Sequence, residues 1–363
     1  MTGPLHNPGV RGFASDNYAG AHPEVIEAIS SANSGHVVAY GEDEYTERLQ
    51  EVIKAHFGPA AAAYPVFNGT GANVLSLQTL LPRWGAVICA DTAHINTDVN
   101  AAPERVAGIK LLPVATTDGK LTPELIDKEA WGWGDEHRAQ PLAVSITQTT
   151  EVGTCYTPEE VHRIAEHVHS LGMKLHIDGA RLANAAAHLG VPLKSFTTDA
   201  GVDILSFGGT KNGLLYGEAV IVLDPEAGTG MKHLRKMDMQ LASKMRFVSA
   251  QLIALLESDL WLRSAAHANK MASRLRRGVE AIDGVHVTRE TQSNGVFASL
   301  PPEAADIVRR AFRFYDWDRA SGEVRWMCSF DTTDEDVDGL VSAVGKAVSE
   351  VRSSLPLETA GRL

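Results

Sequence analysis

Between residues 60 and 223 the chain alternates short apolar runs with segments whose apolar positions recur at helical spacing. "AYPVF" reads as a strand and "GANVLSLQTLL" as the helix that follows it. "AVICA" and "IKLLPV" are further strands. "TPELIDKEA" opens with a threonine cap and a proline at the first helical position, where a missing N–H costs nothing. "PLAVSIT" is a strand, and "TPEEVHRIAEHVHSLG" is a capped helix closing on Gly172. "MKLHID", "VDILSF" and "AVIVL" are strands, with the helix "RLANAAAHLG" after the first. This alternation predicts an α/β fold, a mostly parallel sheet covered by helices.

Residues 231–282 read as helical, and after Gly284 the regular beat stops. "VHVTR", "GVFASL" and "EVRWMCSF" look like strands, with helices near 302–314 and 333–352. The expected organisation is a large domain over 1–250, with an N-terminal arm, and a small α+β domain over 251–363. "WGWGDEHRAQP" reads as an exposed loop with aromatic anchors, and "SSLPLETAGRL" as a tail.

Composition narrows the classes of partner. At about 150 residues per domain, 363 residues allow about two domains. The formal charge is 33 − 45 = −12, and the charges are interspersed, which gives nucleic acid no basic patch. Cys89, Cys155 and Cys328 lie far apart without metal-ligand spacing, which fits a reducing cytoplasm and no metal. The N-terminal stretch lacks the apolar core of a signal peptide. No apolar run approaches the ~18 residues of a membrane span.

In an open α/β sheet, ligands bind beyond the carboxyl ends of the strands. The residues just after four of the apolar runs are "NGTGAN", "DTAHIN", "DGAR" and "GGTKN". Gly69, Thr70 and Gly71 either cradle a phosphate at a helix N-terminus or form a simple turn with Thr70 as its cap. A dinucleotide fingerprint competes here, because Asp91 follows Gly69 by 22 positions. However, Val74 stands where the third glycine belongs, and that reading leaves Lys211 without a role. Asp178 is either a helix N-cap or a buried carboxylate that keeps a heteroaromatic nitrogen protonated. Arg181 is a surface arginine or a fork of donors one turn away from it. His94 is ordinary surface, or it stacks on an aromatic ligand or shuttles a proton. Lys211 either snorkels out of a loop or is a nucleophilic amine able to form a Schiff base. Together, a phosphate cradle, an aspartate, an arginine and a lysine are the set that pyridoxal 5'-phosphate requires.

The pieces "FASDNYAG", "AYGEDEYTERL", "NGTGAN", "ADTAHI", "HIDGARLANA", "SFGGTKNG", "KMRF" and "VRWMCSFDTTDEDVD" carry a resemblance over nearly the whole chain. It resembles the low-specificity L-threonine aldolases, in the β-eliminating lyase group of fold-type-I pyridoxal phosphate enzymes. The resemblance implies that Lys211 holds the cofactor aldehyde, and that Asp178 pairs with the pyridine nitrogen. It implies that Gly69, Thr70 and Gly71 hold the phosphate and that His94 stacks on the ring. Ser15, Arg181 and Arg325 would bind the substrate carboxylate. Arg246 would reach the phosphate of a neighbouring subunit, and Tyr40, in "YGED", would belong to the rim of the site. The implied assembly is a homodimer or homotetramer with shared active sites and a small amino-acid substrate. Many members carry a second histidine in a segment like "ENTHN", whereas this chain reads "SITQTTEVG", with Thr149 at that position. The acceptor for the substrate's hydroxyl proton is then His94, an ordered water or the cofactor phosphate.

The implied activity is cleavage of L-threonine, L-allo-threonine and related β-hydroxy-α-amino acids to glycine and an aldehyde. Phenylserine aldolases of the same group are similar. The rivals are β-elimination or transamination on the same cofactor, a nicotinamide oxidoreductase, and a non-catalytic cofactor-binding protein.

Overall fold

Seven apolar runs become seven strands of one sheet: β1 (Ala62–Val66), β2 (Gly85–Ala90), β3 (Lys110–Val114), β4 (Gln140–Thr147), β5 (Lys174–Gly179), β6 (Ile204–Gly208) and β7 (Glu218–Val222). In the computed structural model, which describes residues 3–354, their order is β1-β7-β6-β5-β4-β2-β3. β2 through β6 pair in parallel, and β7 runs antiparallel to both of its neighbours. Chain length explains the exception. A parallel crossover needs about a dozen residues or more, and only residues 209–217 join β6 to β7. Every residue of β2, β6 and β7 is buried, as strands covered on both faces require.

The helix after β1 spans Gly69–Leu80 and packs against β5, β6 and β7. Its cap is Asn68, whose side chain accepts from the Gly71 N–H at 2.8 Å, so Thr70 is not the cap. Thr157 and Glu160 form a reciprocal capping box at the start of the helix Pro158–Ser170. "TPELIDKEA" yields only the short helix Pro123–Ile126. Two further helices, Pro23–Ser31 and Glu44–Phe57, precede β1.

The sheet and these helices belong to one compact unit, Gly20–Arg263. A second unit consists of the described residues of Met1–Ala19 and Ser264–Leu363. It contains an antiparallel sheet of order β10-β11-β9-β8, formed by β8 (His286–Val287), β9 (Gly295–Ser299), β10 (Tyr315–Asp318) and β11 (Glu323–Met327). Phe13 packs into the apolar core of this unit with Phe314, Trp326 and Val344. Its backbone joins the unit by hydrogen bonds with Arg313 and Met327. From residue 355 on, the expected tail lies outside the described residues. Among the described residues no helix is long and apolar enough to cross a membrane.

Candidate active site

Because β1, β4, β5, β6 and β2 point the same way, the segments after them collect at one edge of the sheet. The helix start Gly69–Gly71 follows β1, Lys211 follows β6, and Arg181 follows β5, which carries Asp178 near its end. Thr149 follows β4 and His94 follows β2. The charges of Asp178, Lys211 and Arg181 all act on the His94 imidazole, so these four side chains share one electrostatic neighbourhood.

Asp178 is 5% exposed and pairs in register with Thr147 and Ser206. Its Oδ2 accepts from Asn73 Nδ2 at 2.7 Å, and its Oδ1 accepts from the Ala180 N–H at 3.1 Å. It is a strand residue rather than a helix cap. The next helix is Leu182–Leu189, and Arg181 itself occupies the N-cap position, without a side-chain capping bond. Two residues before Asp178, His176 lies between Ser145 Oγ and Ser206 Oγ, each at 2.9 Å. Burial pushes this imidazole down to about 4, so it is neutral at neutral pH.

His94 opens the short helix His94–Thr97, and its backbone N–H donates to Glu151 Oε1 at 2.7 Å. Burial lowers its pKa, aided by Lys211 and Arg181 and opposed by Asp178 and Asp98. The imidazole is therefore neutral at neutral pH. Lys211 sits half-buried in the single turn Thr210–Asn212, which ends on Gly213 at φ 104°. Asn212 ties the turn to the Trp261 carbonyl at 2.9 Å.

A Cβ placed at Gly69 would meet nothing within 4 Å, so open space lies over the first turn of the helix. A Cβ at Gly71 would come within 2.5–2.7 Å of the terminal amide of the Gln240 side chain, which would have to move aside for any larger residue. Helix N-termini with exposed amides favour phosphate. The dinucleotide alternative does not survive the topology, because β7, β6, β5 and β4 stand between β1 and β2. Asp91 Oδ1 is already engaged by the Thr92 N–H, the Thr116 N–H and Thr116 Oγ1.

Thr149 is buried and follows the cis peptide bond Gln148–Thr149. Tyr40 is half-exposed at φ 63°, with Lys236 Nζ 4.9 Å from its ring centroid. Arg246 opens the helix Arg246–Leu256, and its buried Nε has no hydrogen-bond partner among the described residues. Ser15 and Arg325 belong to the smaller unit. Ser15 Oγ accepts from the Asn17 N–H at 3.2 Å. Arg325 lies on β11, opposite Tyr315 and Phe297, with its guanidinium 4.9 Å from the Trp317 ring centroid.

Three polar residues escaped the sequence reading. Asn73 fixes Asp178, as above. Glu151 binds the backbone of His94, while its other oxygen is buried without a hydrogen-bond partner among the described residues. Burial, reinforced by the negative Asp178, pushes Glu151 up to about 7. Glu218 opens the fully buried β7 and is likewise pushed up to about 7 by burial. For Glu218 the available signal was an acid adjoining an apolar run, in "GEAVIVL"; the polar segment "TTEVG" gave no such signal for Glu151. Carboxylates are almost never fully buried unless paired.

The beta-eliminating lyase family model matches residues 12–300. The chain is 42% identical over 339 residues to a low specificity L-threonine aldolase of Pseudomonas sp. (strain NCIMB 10558), covering 93% of this chain and 98% of that one. It is 43% identical to the enzyme of the same name from Pseudomonas aeruginosa, covering 90% of this chain and 94% of that one. Among solved structures, a threonine aldolase of Leishmania major superposes with a TM-score of 0.88 at 28% identity, covering 93% of this chain and 99% of that one.

Proposed function

The chain belongs to the beta-eliminating lyase family, and we propose that its strand-end site cleaves L-threonine, L-allo-threonine and related β-hydroxy-α-amino acids to glycine and an aldehyde. It is a carbon–carbon lyase, and pyridoxal 5'-phosphate is its cofactor. The observation that carries this reading is the gathering of Lys211, Asp178, Arg181 and His94 at the carboxyl edge of one sheet.

The residues present fit that cofactor. Lys211 would hold its aldehyde carbon, Asp178 its ring nitrogen and His94 one ring face. Gly69, Thr70 and Gly71 would hold its phosphate, in the space that opens over Gly69. When bound, it supplies an electron sink for the pair released as a bond to Cα breaks.

The chain's own side chains do the rest. Asp178, fixed by Asn73 and the Ala180 N–H, keeps a proton on the ring nitrogen through a charge-assisted hydrogen bond. Arg181 offers a planar fork to the substrate carboxylate. His94, neutral at neutral pH, takes the hydroxyl proton as the Cα–Cβ bond breaks. Lys211 returns a proton to Cα. Thr149 and Tyr40 are proposed to border the substrate, and Arg246 to serve a neighbouring subunit's phosphate in a cytoplasmic homo-oligomer. For Ser15 and Arg325, substrate binding is proposed from the family resemblance alone.

Two measurements test this function. Incubation with L-threonine and with β-phenylserine should yield glycine with equimolar acetaldehyde or benzaldehyde. Ammonia and a 2-oxo acid as the main products would overturn it. Borohydride reduction should fix the cofactor on the peptide containing Lys211, and label on a different lysine would remove Lys211 from its role.

A further inference from the structure

Glu218 is the charged residue of a strand that is otherwise apolar and wholly buried. It faces Gly208 of β6 on one side and Val66 of β1 on the other, so the carboxyl ends of two parallel strands flank it. Its Oε2 accepts from the Gly209 N–H at 2.5 Å, and the Thr210 backbone and hydroxyl lie near enough to stabilise the same carboxylate. Lys211 is the next residue, and its positive charge acts on Glu218. The turn has little freedom elsewhere. A Cβ at Gly208 would lie 2.5 Å from the Ala180 carbonyl oxygen, so the turn packs closely against the segment between Asp178 and Arg181.

A buried carboxylate is expensive, and an apolar residue of similar size would fill the same space at less cost. Packing therefore does not explain Glu218, whereas its contacts with the lysine turn do. We propose that Glu218 is the positioning residue of Lys211. It clamps Gly209 and Thr210 so that the lysine leaves the sheet in one direction, and it is the counter-charge of the lysine amine whenever that amine is not bonded to the cofactor. The inference rests on Lys211 being the cofactor lysine.

The coupling is mutual, so it can be read at either partner. A carboxylate beside an amine favours the ammonium form. Removing the carboxylate therefore lowers the pH at which Lys211 becomes nucleophilic. Asp178 and Arg181 at the end of β5, and His94 after β2, share the same electrostatic neighbourhood. They are unchanged when Glu218 alone is replaced, so a difference between the two proteins reports Glu218.

The test uses cofactor-free full-length protein and competitive acetic anhydride labelling across pH, with the Lys211 peptide quantified by mass spectrometry and the other lysines as internal references. In Glu218→Gln the labelling midpoint of Lys211 should fall by about half a unit or more. An unchanged midpoint would overturn the counter-charge. Glu218→Ala also removes the clamp. Its rate of cofactor reloading, followed by visible absorbance, should fall about tenfold, while Glu218→Gln, whose amide oxygen still accepts from Gly209, stays close to wild type. Equal reloading by the alanine variant and wild type would overturn the positioning role. If Glu218→Ala does not fold, the midpoint in Glu218→Gln decides alone. Borohydride labelling of wild type on another lysine would instead refute the assignment of Lys211, and this inference with it.

Discussion

The two edges of the seven-stranded sheet bury carboxyl groups in opposite ways. At the amino edge, Asp203 precedes β6 and is 3% exposed. It meets Lys174 at 2.9 Å, His169 at 2.8 Å and the Leu175 N–H at 2.7 Å. Lys174 also bridges Asp224 at 2.8 Å. At the carboxyl edge, Glu151 is buried next to a second negative group, Asp178, and one of its oxygens has no partner among the described residues. Glu218 feels the positive charge of Lys211, an amine whose proposed task lies elsewhere. The amino edge spends its cations on neutralising its buried acid, while the carboxyl edge leaves its acids strained and titrating near neutrality. Such perturbed groups cluster where charge must change during a reaction. The difference implies that charge removed from the carboxyl edge harms turnover, and charge removed from the amino edge harms the fold.

The largest effect expected is on turnover. Asp178→Asn keeps the shape, and Asn73 can turn its amide so that its unpartnered oxygen accepts from the new Nδ2, but the change removes the charge that holds the ring nitrogen protonated. Loss of a charge-assisted contact that acts in the transition state costs about 3 kcal/mol or more, so kcat should fall at least about a hundredfold. The same change relieves repulsion with Glu151, so the unfolding midpoint should not drop. Near-normal kcat, or a large loss of stability, would place Asp178 among structural residues and dissolve the contrast between the edges.

The mirror-image change is Lys174→Met at the amino edge. It keeps the aliphatic stem and leaves Asp203 with His169 and a backbone amide. Removing one partner of a buried pair typically costs about 3–5 kcal/mol, but the Lys174 side chain is about a third exposed and partly screened by water, and two partners remain, so the loss here should lie between about 2 and 3 kcal/mol. Denaturant unfolding should show that loss, while kcat of the folded protein stays within about twofold of wild type. A marked fall in kcat with intact stability would mean that the amino edge also serves the reaction.

The two edges were not equally legible in the sequence. Strand runs announced themselves because strands buried on both faces are continuously apolar, and the residues following them gave Gly69, His94, Asp178 and Lys211. Strand order was not legible, because nothing in "AVIVL" states that β7 inserts antiparallel between β1 and β6. The short β10, "YDWD", carries two aspartates, and these are poor strand formers. Glu151 and Glu218 were passed over for a different reason. A single acid looks like surface until three dimensions enclose it, and the partners that give each its meaning, the His94 amide and the Gly209 amide, contribute no side chain to read. Asn73 was hidden by its place in a helix, where a lone amide carries no sign of the strand-end carboxylate it meets.

The smallest effect expected is also the most diagnostic of burial without neutralisation. Glu151→Gln keeps an oxygen to accept the His94 N–H and removes only the ability to ionise. Wild-type Glu151 has an ordinary value of 4.5 when unfolded and about 7 when folded. Between those values the folded protein holds a proton that the unfolded chain has released, so stability is full below about 4.5 and is lost as pH rises through about 7. At about 1.4 kcal/mol per unit the loss over these 2.5 units is about 3.5 kcal/mol, and the cost of burying an amide brings the net difference nearer 2. Below pH 4.5 the glutamine variant should therefore match wild type or fall slightly short of it, and above pH 8 it should be the more stable protein. Urea unfolding of the cofactor-free proteins at the two ends of that range gives the comparison directly. Parallel pH dependence in the two proteins would mean that Glu151 is already ionised and neutralised in the folded state. The carboxyl edge would then resemble the amino edge, and the enclosed acids would lose their connection to proton transfer.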